Sequence, residues 1–507
     1  MKNYYASESV RKADLLAAEK YATPGIVLME NAGRSAAEAI LRRYPDARDI
    51  LILCGPGNNG GDGFTAARHL LINGRAPRLI TVISPSAYKN DAAGALKSTA
   101  GCGVPMTESA SLADGEAAEM LRSCDLIVDA LLGTGSAGEP RGEVARLLSL
   151  IKNNETPELV ALDIPSGVNP DTGEASEDAS SAALTLTFLA EKPGLAVTPG
   201  ALRAGVTEVC GIGAPTELIL TDAPVLRGYD RGDLASLLPS FDRDAHKGKK
   251  GSLLVLGGCR RYHGAPMLAA MGAIYAGCGV VTLALSDFAA SAASALLPEA
   301  IFEPLPTENG SIRADAVADR VDQWMSMCDA AVLGPGIGRD ANASEITKYF
   351  WRHWQKPLLV DADALFHLAN CAAERGFVGR ENAVITPHAG EAAKLLGKDA
   401  AGVAASRLAS CRELAARYSV ALLKGANTLI TDGSDTRVIL EGAPALAAAG
   451  SGDVLSGAIG AFLSVRMKPL DAATAAAILH GKAGTDAERE GRVLSARDIA
   501  RALARRI

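Results

Sequence analysis

The chain predicts an α/β protein of two domains, and three observations lead there. Short apolar runs end repeatedly in Gly, Pro or Asp and alternate with helical patterns, as in a parallel sheet with crossover helices. The alternation stops near residue 220 and then starts afresh. The 507 residues exceed what one core supports, and 52 glycines with 4% aromatic residues suit many tight strand-to-helix loops.

Leu15, Leu16, Ile26, Leu28, Met29, Ala36, Ala37 and Ile40 recur at roughly helical spacing, so the first forty residues are expected to be helical. Residues 49–54 read as a buried strand closing in Gly55-Pro56-Gly57, and residues 79–83, 126–128 and 159–162 as further strands. The domains are therefore placed at 1–220 and 221–507. Residues 229–250 are rich in charge without a strand signal and end in His246-Lys247-Gly248-Lys249-Lys250-Gly251. A second series follows, with strands at 252–257, 280–285, 330–333, 358–360, 383–385 and 420–423. Ligands of such sheets bind beyond the carboxyl ends of the strands.

Hydrophobic residues make up 48% and charged residues 21%, as in a soluble globular protein, and the net charge is −7. That charge argues against a nucleic-acid groove or an anionic membrane surface as the main partner. Nine cysteines, an odd number with no Cys-x-x-Cys pair, suit reduced thiols in the cytoplasm. The N-terminus lacks an apolar signal core, and no apolar run reaches membrane-spanning length. A symmetric homo-oligomer is expected, as is common for α/β enzymes of this size.

The most informative stretch is Ala447 to Gly457, where Gly450-Ser451-Gly452-Asp453 leads into an apolar helical pattern. Its glycines let backbone N–H groups converge at a helix start, an anion hole suited to a phosphoryl group in transfer. Asp453 at the rim is placed to take a proton from a substrate hydroxyl; its plain alternative is a helix cap. In the first half, Gly55 to Gly63 carries five glycines before a helix expected from Phe64, more than a turn needs, which points to backbone contact with a ligand phosphate. Asp129 ends one strand before Gly133-Thr134-Gly135, and Asp163 ends another before Pro165-Ser166-Gly167. Asn, Asp and Ser oxygens there can hold a hard cation, and an aspartate in a partly dry cleft can serve as acid or base. Lys192 is read as a proton donor or phosphate contact, against the default of a solvated lysine.

Leu28-Met29-Glu30-Asn31-Ala32-Gly33, Asn58-Asn59-Gly60-Gly61-Asp62-Gly63, Asp129-Ala130-Leu131-Leu132-Gly133-Thr134-Gly135 and Asp163-Ile164-Pro165-Ser166-Gly167 together resemble the NAD(P)HX epimerase family. The resemblance implies a Rossmann-like three-layer domain that interconverts the C6 epimers of hydrated NADH and NADPH. It implies substrate contacts at Asn58, Asn59, Gly60, Gly61 and Asp62, and at Gly133, Thr134, Gly135, Ser136, Ala137, Gly138 and Glu139. Asn59, Asp129 and Ser166 are expected to hold potassium, with Asp163 as acid/base and Lys192 its assistant.

The second half carries Lys247-Gly248-Lys249-Lys250-Gly251, Gly264-Ala265-Pro266, Gly334-Pro335-Gly336-Ile337-Gly338, Asp361-Ala362-Asp363-Ala364-Leu365, Thr386-Pro387-His388-Ala389-Gly390-Glu391, Lys424-Gly425-Ala426-Asn427-Thr428 and Gly450-Ser451-Gly452-Asp453. These resemble the ADP/ATP-dependent NAD(P)HX dehydratases over about residues 228 to 505, implying a ribokinase-like α/β domain. Ala265, Gly336, His388 and Asp453 are then expected at the hydrated cofactor. Lys424, Gly425, Ala426, Asn427, Thr428 and Gly452 are expected at the nucleotide, which the resemblance takes as ADP with magnesium. Two departures stand out: Gly258-Cys259-Arg260 lacks the small or hydroxylated residue expected after the glycines, and Gly442-Ala443-Pro444-Ala445 lacks an asparagine. Two other readings compete: a small-molecule kinase whose first half is a regulatory ligand binder, and a nucleotide-sensing scaffold.

Overall fold

Ile50, Ile52 and Cys54 point to one side of a strand and Leu51 and Leu53 to the other, and all five are buried. A strand covered on both faces belongs to the middle of a three-layer sandwich. In the computed structural model, which describes residues 1–135, 138–242, 247–371, 377 and 379–504, that strand is the centre of the first sheet. The chain forms two compact units, residues 3–226 and residues 227–507 with Met1–Lys2.

The first unit holds a seven-stranded sheet. Its strands are β1 (Asp49–Cys54), β2 (Ala76–Thr81), β3 (Met106–Glu108), β4 (Leu126–Ala130), β5 (Leu159–Leu162), β6 (Leu184–Phe188) and β7 (Val206–Cys210). All pairings are parallel, in the order β3-β2-β1-β4-β5-β6-β7. The order reverses between β1 and β4, so a crevice opens beyond their carboxyl ends. Three of these strands carry no clear sequence signal. In β6, Thr185 and Thr187 interrupt the apolar run yet are fully buried, and Thr185 donates to the Ala204 carbonyl (2.6 Å). The expected N-terminal helical stretch is two helices, Ser7–Tyr21 and Gly25–Arg43.

In the second unit the strands are β8 (Leu226–Tyr229), β9 (Ser252–Leu256), β10 (Val280–Ser286), β11 (Ile301–Leu305), β12 (Ala330–Leu333), β13 (Leu358–Val360), β14 (Ala383–Ile385), β15 (Val420–Leu423), β16 (Leu429–Thr431) and β17 (Thr436–Ile439). They lie in the order β8-β17-β16-β15-β14-β13-β12-β9-β10-β11. Pairing is parallel from β11 to β15 and antiparallel through β15-β16-β17. Here the order reverses between β9 and β12, again opening a crevice at strand ends. The helices Gly264–Tyr275, Ser451–Ser464 and Pro469–Arg489 cover one face with Ala, Leu, Ile and Val side chains packed on Leu253, Val255 and Val332. Residues 229–250, expected without a strand, begin with the last residue of β8 and carry the short helix Leu234–Leu237.

Candidate active sites

At the first switch point lies a cavity of about 620 Å³. The sequence predicts a glycine-rich loop running to Gly63, but the helix that follows β1 already begins at Asn58. Some of its glycines are required by packing. A Cβ on Gly60 would lie 2.0 Å from the Gly55 carbonyl oxygen, and one on Gly63 would lie 2.7 Å from the Ala130 Cβ. Gly57, the residue before the helix, has open space around it and lines the cavity, so the anion-accepting N-terminus remains accessible.

Asp163 enters the cavity from the end of β5 at φ +66°, a strained setting for a non-glycine residue. Its Oδ2 accepts from the Thr134 N–H (2.9 Å) and its Oδ1 from Lys192 Nζ (2.6 Å). Burial opposes ionisation of this carboxyl, but the Lys192 ammonium and the Thr134 N–H outweigh it and hold the pKa below the ordinary aspartate range. Lys192 is wholly buried, not solvated: it also donates to Thr187 Oγ1 (2.8 Å) and the Phe188 carbonyl (2.9 Å), and it stands behind Asp163 without lining the cavity. Gly133 lets the two loops close, since a Cβ there would lie 3.0 Å from Asp163 Oδ2 and 3.1 Å from Asn59 Cβ.

Asp129, fully buried at the end of β4, is a structural hub. Its carboxylate accepts from the Leu131 and Ser166 N–H groups and from the hydroxyls of Ser166 (2.7 Å) and Ser180 (2.6 Å). Ser180 escapes sequence reasoning because nothing local marks a serine that returns from so far along the chain. Asn59 Nδ2 donates to the carbonyls of Leu132 (3.0 Å) and Leu162 (3.1 Å), leaving its Oδ1 buried without a partner. That orphaned oxygen fits a cation of potassium's kind, which prefers neutral oxygen donors, whereas Asp129 and Ser166 already spend their hydrogen bonds on each other. Gly138 and Glu139 line a smaller cavity of about 110 Å³ with Gly133. Ser136 and Ala137 lie outside the described residues, as does His246 of the second half.

In the second unit the proposed base sits at the third residue of the helix Ser451–Ser464. Gly450 precedes it at φ +86°, and a Cβ there would meet Leu268 Cδ1 at 2.4 Å, so the turn requires glycine. Burial, and then repulsion from Asp361, raises the Asp453 pKa to about 7. Asp361, buried at the end of β13, accepts from Lys424 Nζ (2.9 Å) and Ser456 Oγ (2.5 Å). Lys424 Nζ lies 3.8 Å from Glu391, and a Cβ on Gly452 would be 3.6 Å from that ammonium. A cation, a helix N-terminus and a carboxyl of raised pKa thus meet at one strand edge. Of the Asp361 and Asp363 pair, Asp363 starts a helix and accepts from Arg339 Nε (2.9 Å).

The other expected residues fall around this edge. Gly336 holds φ +63° against the Tyr262 carbonyl, and Ala265 is the second residue of the helix Gly264–Tyr275. His388 is exposed and caps a helix, its Nδ1 accepting from the Gly390 and Glu391 N–H groups. Residues 424–428 form the turn between β15 and β16, where Thr428 Oγ1 donates to the Gly425 carbonyl (3.1 Å). Two residues were missed. His480 Nε2 lies 2.9 Å from Ser451 Oγ and 3.1 Å from its carbonyl, and burial lowers its pKa to about 4. Arg407 is buried beneath the 424–428 turn, donating to the carbonyls of Leu423 and Lys424 (3.2 Å each). Both find their partners 16 or more residues away in sequence, so no local signal marks them.

No group of three or more His, Cys, Asp or Glu that could hold a metal ion occurs among the described residues. Among the described residues no helix is long and apolar enough to cross a membrane.

Two α/β units, each with acids and an anion-accepting helix start beyond the carboxyl ends of its strands, define a two-site enzyme. The NAD(P)H-hydrate dehydratase family model matches residues 253–505, and the model described as YjeF-related protein N-terminus matches residues 25–194. The chain is 39% identical over 98% of its length to the bifunctional NAD(P)H-hydrate repair enzyme of Thermanaerovibrio acidaminovorans, covering 96% of that protein. The repair enzyme of Pyrobaculum aerophilum is 37% identical (98% of each chain), and that of Escherichia coli 33% identical (95% of this chain, 88% of that one). A ribokinase-like superfamily protein from Enterococcus faecalis is 25% identical at TM-score 0.49, covering 55% of this chain and 94% of its own. An ADP/ATP-dependent NAD(P)H-hydrate dehydratase from Bacillus subtilis, crystallised with ATP and magnesium, is 26% identical at TM-score 0.48, covering 55% and 97%.

The chain belongs to the bifunctional NAD(P)H-hydrate repair enzymes, which unite an epimerase and a dehydratase in one polypeptide. The kinase reading is not favoured.

Proposed function

We propose that the first unit interconverts the R and S epimers of hydrated NADH and NADPH at C6, and that the second dehydrates the S epimer with ADP, giving the normal cofactor, AMP and phosphate. The observation that supports this most is the meeting of Asp453, Lys424 and the Gly450–Gly452 turn at one strand edge. Asp453 takes the proton of the C6 hydroxyl, whose oxygen then attacks the β-phosphorus while AMP leaves. A carboxyl titrating near neutrality suits a general base. The N–H groups of the turn, with Lys424, stabilise charge on the transferred phosphoryl group. Phosphate leaves far more readily than hydroxide, pushed out by the ring-nitrogen lone pair, and loss of a C5 proton completes the double bond.

Ala265, Gly336 and His388 bound the hydrated nicotinamide, and residues 424–428 with Gly452 bound the nucleotide. Magnesium, bound with the phosphates, would offset their charge. In the first unit the free Asn59 Oδ1 would hold potassium, with Asp129 and Ser166 completing the site only if oxygens engaged with each other and with Ser180 also accept the ion. Asp163, kept ionised by Lys192, acts as the base of epimerisation. Residues 58–62 and 133–139 receive the substrate, the protein works in the cytoplasm, and symmetric copies associate. The test is to give pure S epimer with ADP or with ATP and quantify products. One AMP and one phosphate per reduced cofactor with ADP supports the reading; a stable phosphorylated alcohol would replace it with a kinase.

A further inference from the structure

An epimerisation that breaks and remakes the C6–O bond needs a proton delivered to the departing hydroxyl and another removed from the incoming water. Asp163 suits only the second task in the resting site, because Lys192 and the Thr134 N–H occupy its two oxygens. Lys192 cannot supply the first, since its ammonium is turned to Asp163, Thr187 and Phe188 and does not line the cavity. The cavity's other charged groups are Arg11, Asp14, Asp62 and Asp91. An arginine does not give up its proton.

Asp14 reaches the cavity from the helix Ser7–Tyr21, an element distinct from the β5 end that carries Asp163. It is open to the cavity and makes no hydrogen bond or ion pair with the described residues, so it has no structural employment there. We propose that Asp14 is a second catalytic acid–base of this cavity, resting on the epimerase reading given above. The Asp14 carboxyl gives its proton to the C6 hydroxyl; the ring-nitrogen lone pair forms the N1=C6 iminium as the C6–O bond breaks, and water leaves. A second water adds to C6, the iminium electrons return to nitrogen, and Asp163 takes the water's extra proton. The reverse epimerisation uses the same two carboxyls in exchanged roles, and solvent resets the proton between turnovers. Partial enclosure in the cavity and the neighbouring Asp163 charge support this, raising the Asp14 pKa to about 6, with Lys192 opposing. Asp62 shares the cavity and is raised above the ordinary range by burial and by Asp163 and Asp14, so its replacement is the control that separates the two carboxyls.

The test uses the full chain with pure R epimer in oxygen-18 water, following inversion and label at C6, with S-epimer dehydration as the control. The wild type is expected to take up one solvent oxygen per inversion. Asp14→Asn, which removes no structural contact, is expected to lose inversion and exchange together by ~10²- to 10⁴-fold, with KM and dehydration little changed. An Asp14→Asn protein that inverts at the wild-type rate, or inversion without solvent oxygen, overturns the proposal while leaving epimerisation in place. Loss with Asp62→Asn but not Asp14→Asn overturns it too. A wild type that does not invert the R epimer at all would instead remove the epimerase reading beneath it.

Discussion

Replacing Lys192 by methionine keeps the volume and removes the charge from the most enclosed ion pair of the first unit. Lys192 has no exposed surface, Asp163 is 7% exposed, and the pair is closed at 2.6 Å. Taking one partner from a buried pair leaves an uncompensated charge, which costs about 3–5 kcal/mol. The loss depends on pH, because Asp163 can escape it by taking a proton. In the wild type the depressed Asp163 pKa adds stability that is present above the unfolded pKa and lost as pH falls. In Lys192→Met burial acts unopposed by the ammonium and the shift reverses, so the carboxyl destabilises the fold at neutral pH and less so in acid. The gap between the two proteins is therefore expected to be widest near pH ~7.5 and to shrink toward pH ~4, where lost hydrogen bonds of ~1 kcal/mol each remain. Urea denaturation followed by circular dichroism across that range measures it. A gap below ~0.5 kcal/mol at neutral pH, or one that does not move with pH, would refute the buried-pair reasoning.

Three further outcomes are expected. Asp453→Asn should lower dehydration by ~10²- to 10⁴-fold while epimerisation persists, and the wild-type dehydration rate should climb with pH to a plateau above about 7, because the raised pKa leaves the base protonated below it; a flat profile through that region contradicts the assignment. His480→Ala should unseat the Ser451 turn, cutting dehydration and costing ~1–3 kcal/mol, with His480→Gln recovering part of both in thermal melts and assays. Asn59→Ala should abolish any preference of the melting temperature for potassium over sodium chloride, a preference the wild type should show if the orphaned Oδ1 holds the ion.

The strands that end in an acid were legible because the signal is local: an apolar run, one aspartate, then glycine or proline. That pattern led directly to Asp129, Asp163 and Asp361, each at the end of a parallel strand. The glycines of 55–63 were legible as a site but misjudged in conformation. Gly60 and Gly63 answer to the Gly55 and Ala130 neighbours, contacts that exist only once the sheet has formed. Asp14 reads in sequence as the polar face of an amphipathic helix, and only the fold turns that face to the cavity. His480 and Ser180 gain meaning from partners 29 and 51 residues away, a separation that no spacing rule reaches. The edge strand Val206–Cys210 went unmarked because its exposed valines and central Thr and Glu dilute the hydrophobic run.

The most direct test of the two-site account follows the near-ultraviolet absorbance of reduced nicotinamide from a mixture of both NADHX epimers with potassium, magnesium and ADP. Complete recovery of NADH by the wild type, arrest of Asp163→Asn once the S epimer is consumed, and no recovery by Asp453→Asn are the expected results. Wild-type recovery that stops at the S epimer, or that proceeds undiminished in Asp453→Asn, would contradict it.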